Sequence, residues 1–169
     1  EAISSDFMRQ NNILAPNHKY LKLYINGKYK GIKHIEQAVS PELVESQRRR
    51  NGPIADNKWG LSFGKDTIFT LQNAKYWQSI SSKQGDNLLV ILNELRNNTE
   101  KIKEIFDMKA WSKYFAIIDF LQVYHGSVSK SVKYYLNPIT GLIEPLFFDG
   151  HFDTRINDFI FTDLINSNK

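Results

Sequence analysis

Asn26-Gly27, set between two alternating runs, is the strongest constraint on how this chain folds. In YLKLYINGKYKGIKHIEQ, Leu21, Leu23 and Ile25 alternate before the pair, and Tyr29, Ile32 and Ile35 resume after it. Both central residues of a type I′ turn take positive φ, which Asn and Gly tolerate best. The spacing therefore predicts an antiparallel hairpin whose second strand ends at Glu36. A second hairpin is predicted downstream, with VKYYLNP and IEPLFFD flanking a turn at ITG. Together with the helical patterns between them, these hairpins make the expected fold α+β.

The helices follow from period and caps. Residues 3–13 read as a helix stopped ahead of Pro16, because proline disfavours helical geometry in the residue before it. SPELVESQRR reads as a short helix, with Ser40 as N-cap and Pro41 in the first turn. The pattern from Ile54 to Phe69 is weak and reads as a loop, followed by a helix over 70–80. After Gly85-Asp86, Leu88, Leu89, Ile91, Leu92 and Leu95 form one apolar stripe, and KIKEIFD adds a further helical segment. Asp107 then caps the longest apolar segment, a core helix expected over 108–125, and a short helix is expected over 154–164.

With 169 residues the chain fits one domain, 1–169, able to bury about 70% of its unfolded surface. The absence of cysteine removes disulfides, thiolate nucleophiles and cysteine-based zinc sites. No apolar run approaches the roughly 18–20 residues a membrane span needs. A net charge of +4 favours anionic partners such as phosphates or an acidic protein segment. No pattern for nucleic-acid recognition accompanies it, and none is expected to bind.

Chemistry-bearing residues gather between Tyr124 and Asp153. Asp149 and Asp153 follow an apolar strand, spaced i and i+4 across a glycine, and read either as oxygen ligands for Mg²⁺ or as caps of a turn and a helix. His125, followed by Gly126, reads either as a base or as a histidine on the last carbonyls of the core helix. Glu36, at a strand end, reads as a partner for a phosphate-gripping cation or as a solvated terminus. Arg48, Arg49 and Arg50 read as phosphate forks or as a solvated run. A metal hydrolase built on His125, His151 and Asp149 has no ligand triplet of standard spacing behind it. A serine hydrolase lacks the G-x-S-x-G elbow.

Four segments in this order resemble the CotH family of atypical protein kinases. INGKYKGIKHIEQ is similar to its "NG-x-Y-x-G-x-Y-x-x-x-E" strand pair, and ELVESQRRRNGPI to a "LLE-x-x-x-RR-x-GPI" segment of one bacterial branch. FDMKAWSKYFAIIDFLQVYHG resembles the helix before the site, and VKYYLNPITGLIEPLFFDG the pattern "R-F-Y-Y-N-P-x-T-G-x-L-E-P-I-x-F-D". The resemblance implies a divergent kinase-like fold that transfers phosphate from Mg²⁺-ATP to Ser or Thr of a protein. Asp149 then corresponds to the metal-binding aspartate and Glu36 to the strand glutamate, while Arg48–Arg50 become candidate contacts to phosphate or an acidic substrate. His125 stands where the family's "D-G-x-x-x-N" carries its catalytic aspartate, and Ser131 where it carries a metal-supporting asparagine. Those two departures also suit a non-catalytic binding module of a spore-coat or cell-surface protein. The resemblance further implies a chain that begins after the family's amino-terminal strands.

Overall fold

The computed structural model describes residues 1–58, 67–95, 98–127 and 131–151. The architecture is α+β. Helix α1 (Ala2–Gln10) precedes the hairpin of β1 (His18–Ile25) and β2 (Lys28–Glu36), then α2 (Pro41–Ser46), β3 (Ile54–Asn57) and β4 (Phe69–Leu71). Next come α3 (Ala74–Leu95), α4 (Ile102–Ile105), the core helix α5 (Met108–Leu121), and the second hairpin, β5 (Lys133–Leu136) and β6 (Ile143–Leu146). Among the described residues two sheets result: β1 with β2, and an antiparallel four-stranded sheet in the order β4-β3-β5-β6.

Strand alternation splits the core in two. Ala55 and Tyr134 point to the larger cluster, where Leu88, Leu92, Trp111, Tyr114, Ile118 and Phe147 meet. Ile54 and Tyr135 point the other way, onto Leu14, Leu43, Val44 and Leu146. The outer edge of β6 is covered rather than left to pair with another chain. Leu14 bridges Leu146, Phe106 bridges Ile143, and the Trp111 indole donates to the Ile143 carbonyl at 2.9 Å.

The first hairpin has the expected turn, with Asn26 at φ 50° and Gly27 at φ 74°. Its register shifts between Lys22 and Tyr24, opposite Gly31 at φ 92°, where a bulge needs glycine. Tyr20, Leu21, Tyr24, Ile25, Tyr29, Ile32 and Ile35 remain exposed along it.

Three readings of the sequence are corrected. The stretch expected to be a loop contains β3, inside the larger sheet, and ends in edge strand β4, which runs on into the expected helix. Its strand character is masked because Asp56 sits on one face, paired with Lys133 Nζ at 2.8 Å, and buried Asn57 on the other. The helix expected over 70–80 starts only at Ala74 and joins the next one across a non-helical residue, Ser81. The core helix stops at Leu121, short of His125, because Gln122 turns left-handed at φ 54° and Val123 N–H reaches back to the Ile118 carbonyl at 3.1 Å, a Schellman closure. His125 lies instead in a 3-10 turn, Tyr124–Ser127. The N-cap holds: Asp107 accepts from Ala110 N–H at 3.0 Å. The predicted helix over 154–164 lies outside the described residues, among which no helix is long and apolar enough to cross a membrane.

Candidate functional site

Beyond β6 the chain bonds through Phe147 N–H to the Leu14 carbonyl, then bends at Asp149, which takes φ 57°. Aspartate is among the few non-glycine residues that visit this region readily. Around it the packing is tight. A Cβ on Gly150 would lie 2.0 Å from the ring of buried Phe147, and one on Gly126 2.7 Å from it. Those two glycines let the 3-10 turn and the end of β6 close on one aromatic ring, which brings His125 against Asp149.

Among the described residues, the carboxylate of Asp149 collects three side chains. His125 Nδ1 lies 3.1 Å from Oδ2 and 3.0 Å from the Asp149 carbonyl. Ser131 Oγ donates to Oδ2 at 3.2 Å, and His151 Nε2 lies 2.7 Å from Oδ1. A carbonyl oxygen only accepts, so His125 carries a hydrogen on Nδ1, and Nε2 is the lone-pair nitrogen of its neutral ring. The turn that holds His125 is pinned from below by buried Tyr114, whose hydroxyl donates to the Gly126 carbonyl. Burial, with Tyr134 beside it, pushes the Tyr114 phenol far up, so it stays a donor at any physiological pH.

Glu1 and Glu36 complete the acidic side. Glu1 Oε1 lies 4.0 Å from His151 Nε2, and Glu1, Asp149 and His151 hold their ligand atoms within 4.8 Å of one another. Glu36 is raised above the ordinary carboxylate value of 4.5 by burial and then by Glu1, with Asp149 adding to it and His34 and His151 opposing. The folded state therefore binds a proton more readily than the unfolded chain, and stability falls as pH rises from 4.5 through that higher folded value. Replacing Glu36 by Gln removes this loss. Thermal unfolding should find the variant more stable at pH 7, with the advantage gone below about pH 4, where the carboxyl is protonated in both states.

These donors suit a divalent cation: carboxylate oxygens satisfy Mg²⁺, which takes one or two of them and fills its other positions with water or phosphate oxygens. Asp153 lies outside the described residues. The arginines lie elsewhere. Arg48 and Arg50 are exposed, and among the described residues no hydrogen bond or ion pair joins any of the three to Asp149. Arg49 is drawn inward, with Nε 3.1 Å from Glu144, and its other nitrogens donate to Asn12 and the Gln47 carbonyl.

His125 reads differently in the structure than as a helix cap. It binds the turn at Asp149, not the last carbonyls of α5. Glu1 was not legible as part of the site, since nothing local to it marks a functional residue and only the fold brings it to His151. The Asp56–Lys133 pair, joined by Gln72 Nε2 at 2.8 Å, was likewise hidden in what reads as a loop.

No curated protein matches the chain. The family model described as CotH kinase protein matches residues 1–153, which include both hairpins, α5, His125, Asp149 and His151. This chain belongs to the CotH kinase protein family.

Proposed function

We propose that the chain acts in phosphoryl transfer from Mg²⁺-ATP to Ser or Thr hydroxyls of a protein, with Asp149 as the principal metal ligand. The observation that supports this most is the convergence on Asp149 of His125, Ser131 and His151, with Glu1 and Glu36 close by. When bound, Mg²⁺ would neutralise charge on the nucleotide phosphates and fix their position.

The chain's own residues supply the rest. The Nδ1–H of His125 is held by Asp149, which fixes the ring and leaves Nε2 as the acceptor for a hydroxyl proton. Its side chain is 40% exposed, so a substrate hydroxyl has access. Ser131 orients the Asp149 carboxylate through Oδ2. The exposed guanidinium groups of Arg48 and Arg50 are available to an acidic acceptor segment, whereas that of Arg49 is occupied by Glu144 and Asn12.

A second reading, a nucleotide-binding or structural module without transfer, is favoured by Ser131. Its hydroxyl is already bonded to Asp149, and it offers no amide to a second metal ion. Incubating the chain with γ-labelled ATP, Mg²⁺ and a Ser/Thr-rich acceptor separates the two. Label on the acceptor, absent when Mg²⁺ is chelated, supports transfer. ATP binding without label selects the second reading.

A further inference from the structure

We propose that His151 and Glu1 join Asp149 in a cation site whose nitrogen donor makes it select Zn²⁺ or Co²⁺ over Mg²⁺. This rests on the metal-binding half of the proposed function and is independent of transfer.

The argument starts from donor chemistry. Mg²⁺ demands oxygen ligands and gives up water reluctantly, whereas imidazole nitrogen suits zinc and the later first-row ions. Here one imidazole and two carboxylates from distant parts of the chain meet. Glu1 caps α1, Asp149 lies in the left-handed bend after β6, and His151 follows across Gly150. His151 Nε2 stands 2.7 Å from Asp149 Oδ1 and 4.0 Å from Glu1 Oε1. Ligand atoms bonded to one ion at about 2.0–2.2 Å lie about 3–4 Å apart, so small side-chain shifts close the set.

Such shifts are open to these groups. The His151 side chain is 59% exposed and that of Glu1 23%, which also leaves room for water or phosphate oxygens at the remaining positions. Binding requires the lone pair on His151 Nε2, so the hydrogen now aimed at Asp149 moves to Nδ1. His125 serves this site from behind: its Nδ1–H, on the Asp149 carbonyl and Oδ2, orients the carboxylate while Oδ1 faces His151. Carboxylates of Glu1 and Asp149 close enough to raise Glu36 give the same region an excess of negative charge that a cation would offset.

The test is a titration of the nucleotide-free chain with Zn²⁺ and Mg²⁺ by calorimetry, and with Co²⁺ by visible absorption. Zn²⁺ is expected to bind one per chain and at least ~10-fold more tightly than Mg²⁺, and Co²⁺ to give a d–d spectrum. His151→Ala should weaken Zn²⁺ at least ~10-fold and leave Mg²⁺ little changed, with circular dichroism reporting the fold; Glu1→Gln is the milder second variant, expected to weaken Zn²⁺ without touching the packing. His18 and His34 are the competing pair, their ring nitrogens 2.8 Å apart on the hairpin, and His18→Ala/His34→Ala should leave Zn²⁺ affinity unchanged. Zn²⁺ binding that survives in both His151→Ala and Glu1→Gln, that is lost in the hairpin variant, or that shows no preference over Mg²⁺ overturns the inference. Stabilisation by Mg²⁺-ATP without zinc preference sinks this inference alone, whereas zinc binding with no response to ATP sinks the proposed function alone.

Discussion

Mg²⁺-ATP is expected to raise the melting temperature of this chain, and Asp149→Ala to abolish the rise. A ligand that binds only the folded state stabilises it by about 2.7 kcal/mol at a hundredfold excess over its dissociation constant. For a domain near this size that is a shift of about 5–10 °C. Asp149 is the group on which the shift should depend, because it gathers Ser131, His125 and His151 on its two oxygens and takes φ 57° to do so. Differential scanning fluorimetry with Mg²⁺-ATP, ATP alone and Mg²⁺ alone separates nucleotide from ion. A shift that persists undiminished in Asp149→Ala would place binding elsewhere, and no shift at all would remove ATP from the account. The variant loses three side-chain bonds but keeps the carbonyl that holds His125, so its own melting temperature is the reference for each comparison.

What could be read in the sequence was what is local. Asn26-Gly27 announces its turn because two adjacent residues carry the whole requirement for positive φ. Asp107 announces the start of α5 because an N-cap acts within one turn of helix. The end of α5 was misjudged for the same reason in reverse: Gln122 is no usual left-handed residue, and the tertiary fold imposes the closure that a glycine would have signalled. The central strand β3 does not show locally because its charged residue is satisfied from a distance. Asp56 finds Lys133 and Gln72, so IADN carries no alternation that marks a strand. At the site, Asp149 and His125 were legible as chemistry-bearing types flanking a hairpin. Glu1 was not, since its approach to His151 depends on the start of α1 meeting the chain beyond β6, a contact no local pattern encodes.

Arg49→Ala is expected to be the most destabilising single change to the framework that holds the site, costing about 3–5 kcal/mol. The sequence offers Arg49 as one of three interchangeable cations; the fold does not. Its side chain is 13% exposed and that of Glu144 8%, and the pair spans from the chain after α2 to β6. Removing the guanidinium leaves the Glu144 carboxylate buried with the amide of Asn137 at 2.6 Å as its remaining side-chain donor, and a buried carboxylate without its counter-charge is what makes such a loss large. Thermal unfolding should register this, with a melting temperature lower by about 6–20 °C. The neighbouring Arg48→Ala, at an exposed side chain, sets the scale of a surface change, within about 0.5 kcal/mol. The double variant Arg49→Met/Glu144→Leu removes both charges and should recover much of the loss, since apolar side chains of similar volume often replace a buried pair without cost. Equal effects for Arg48→Ala and Arg49→Ala would refute the brace. Loss of the brace also reaches the site, because Arg49 donates to both the side chain and the carbonyl of Asn12, just past α1, whose N-cap is Glu1, while β6 leads on to Asp149. A chain that keeps Asp149 but loses this tie should therefore respond less to the cation than its residual stability alone would dictate.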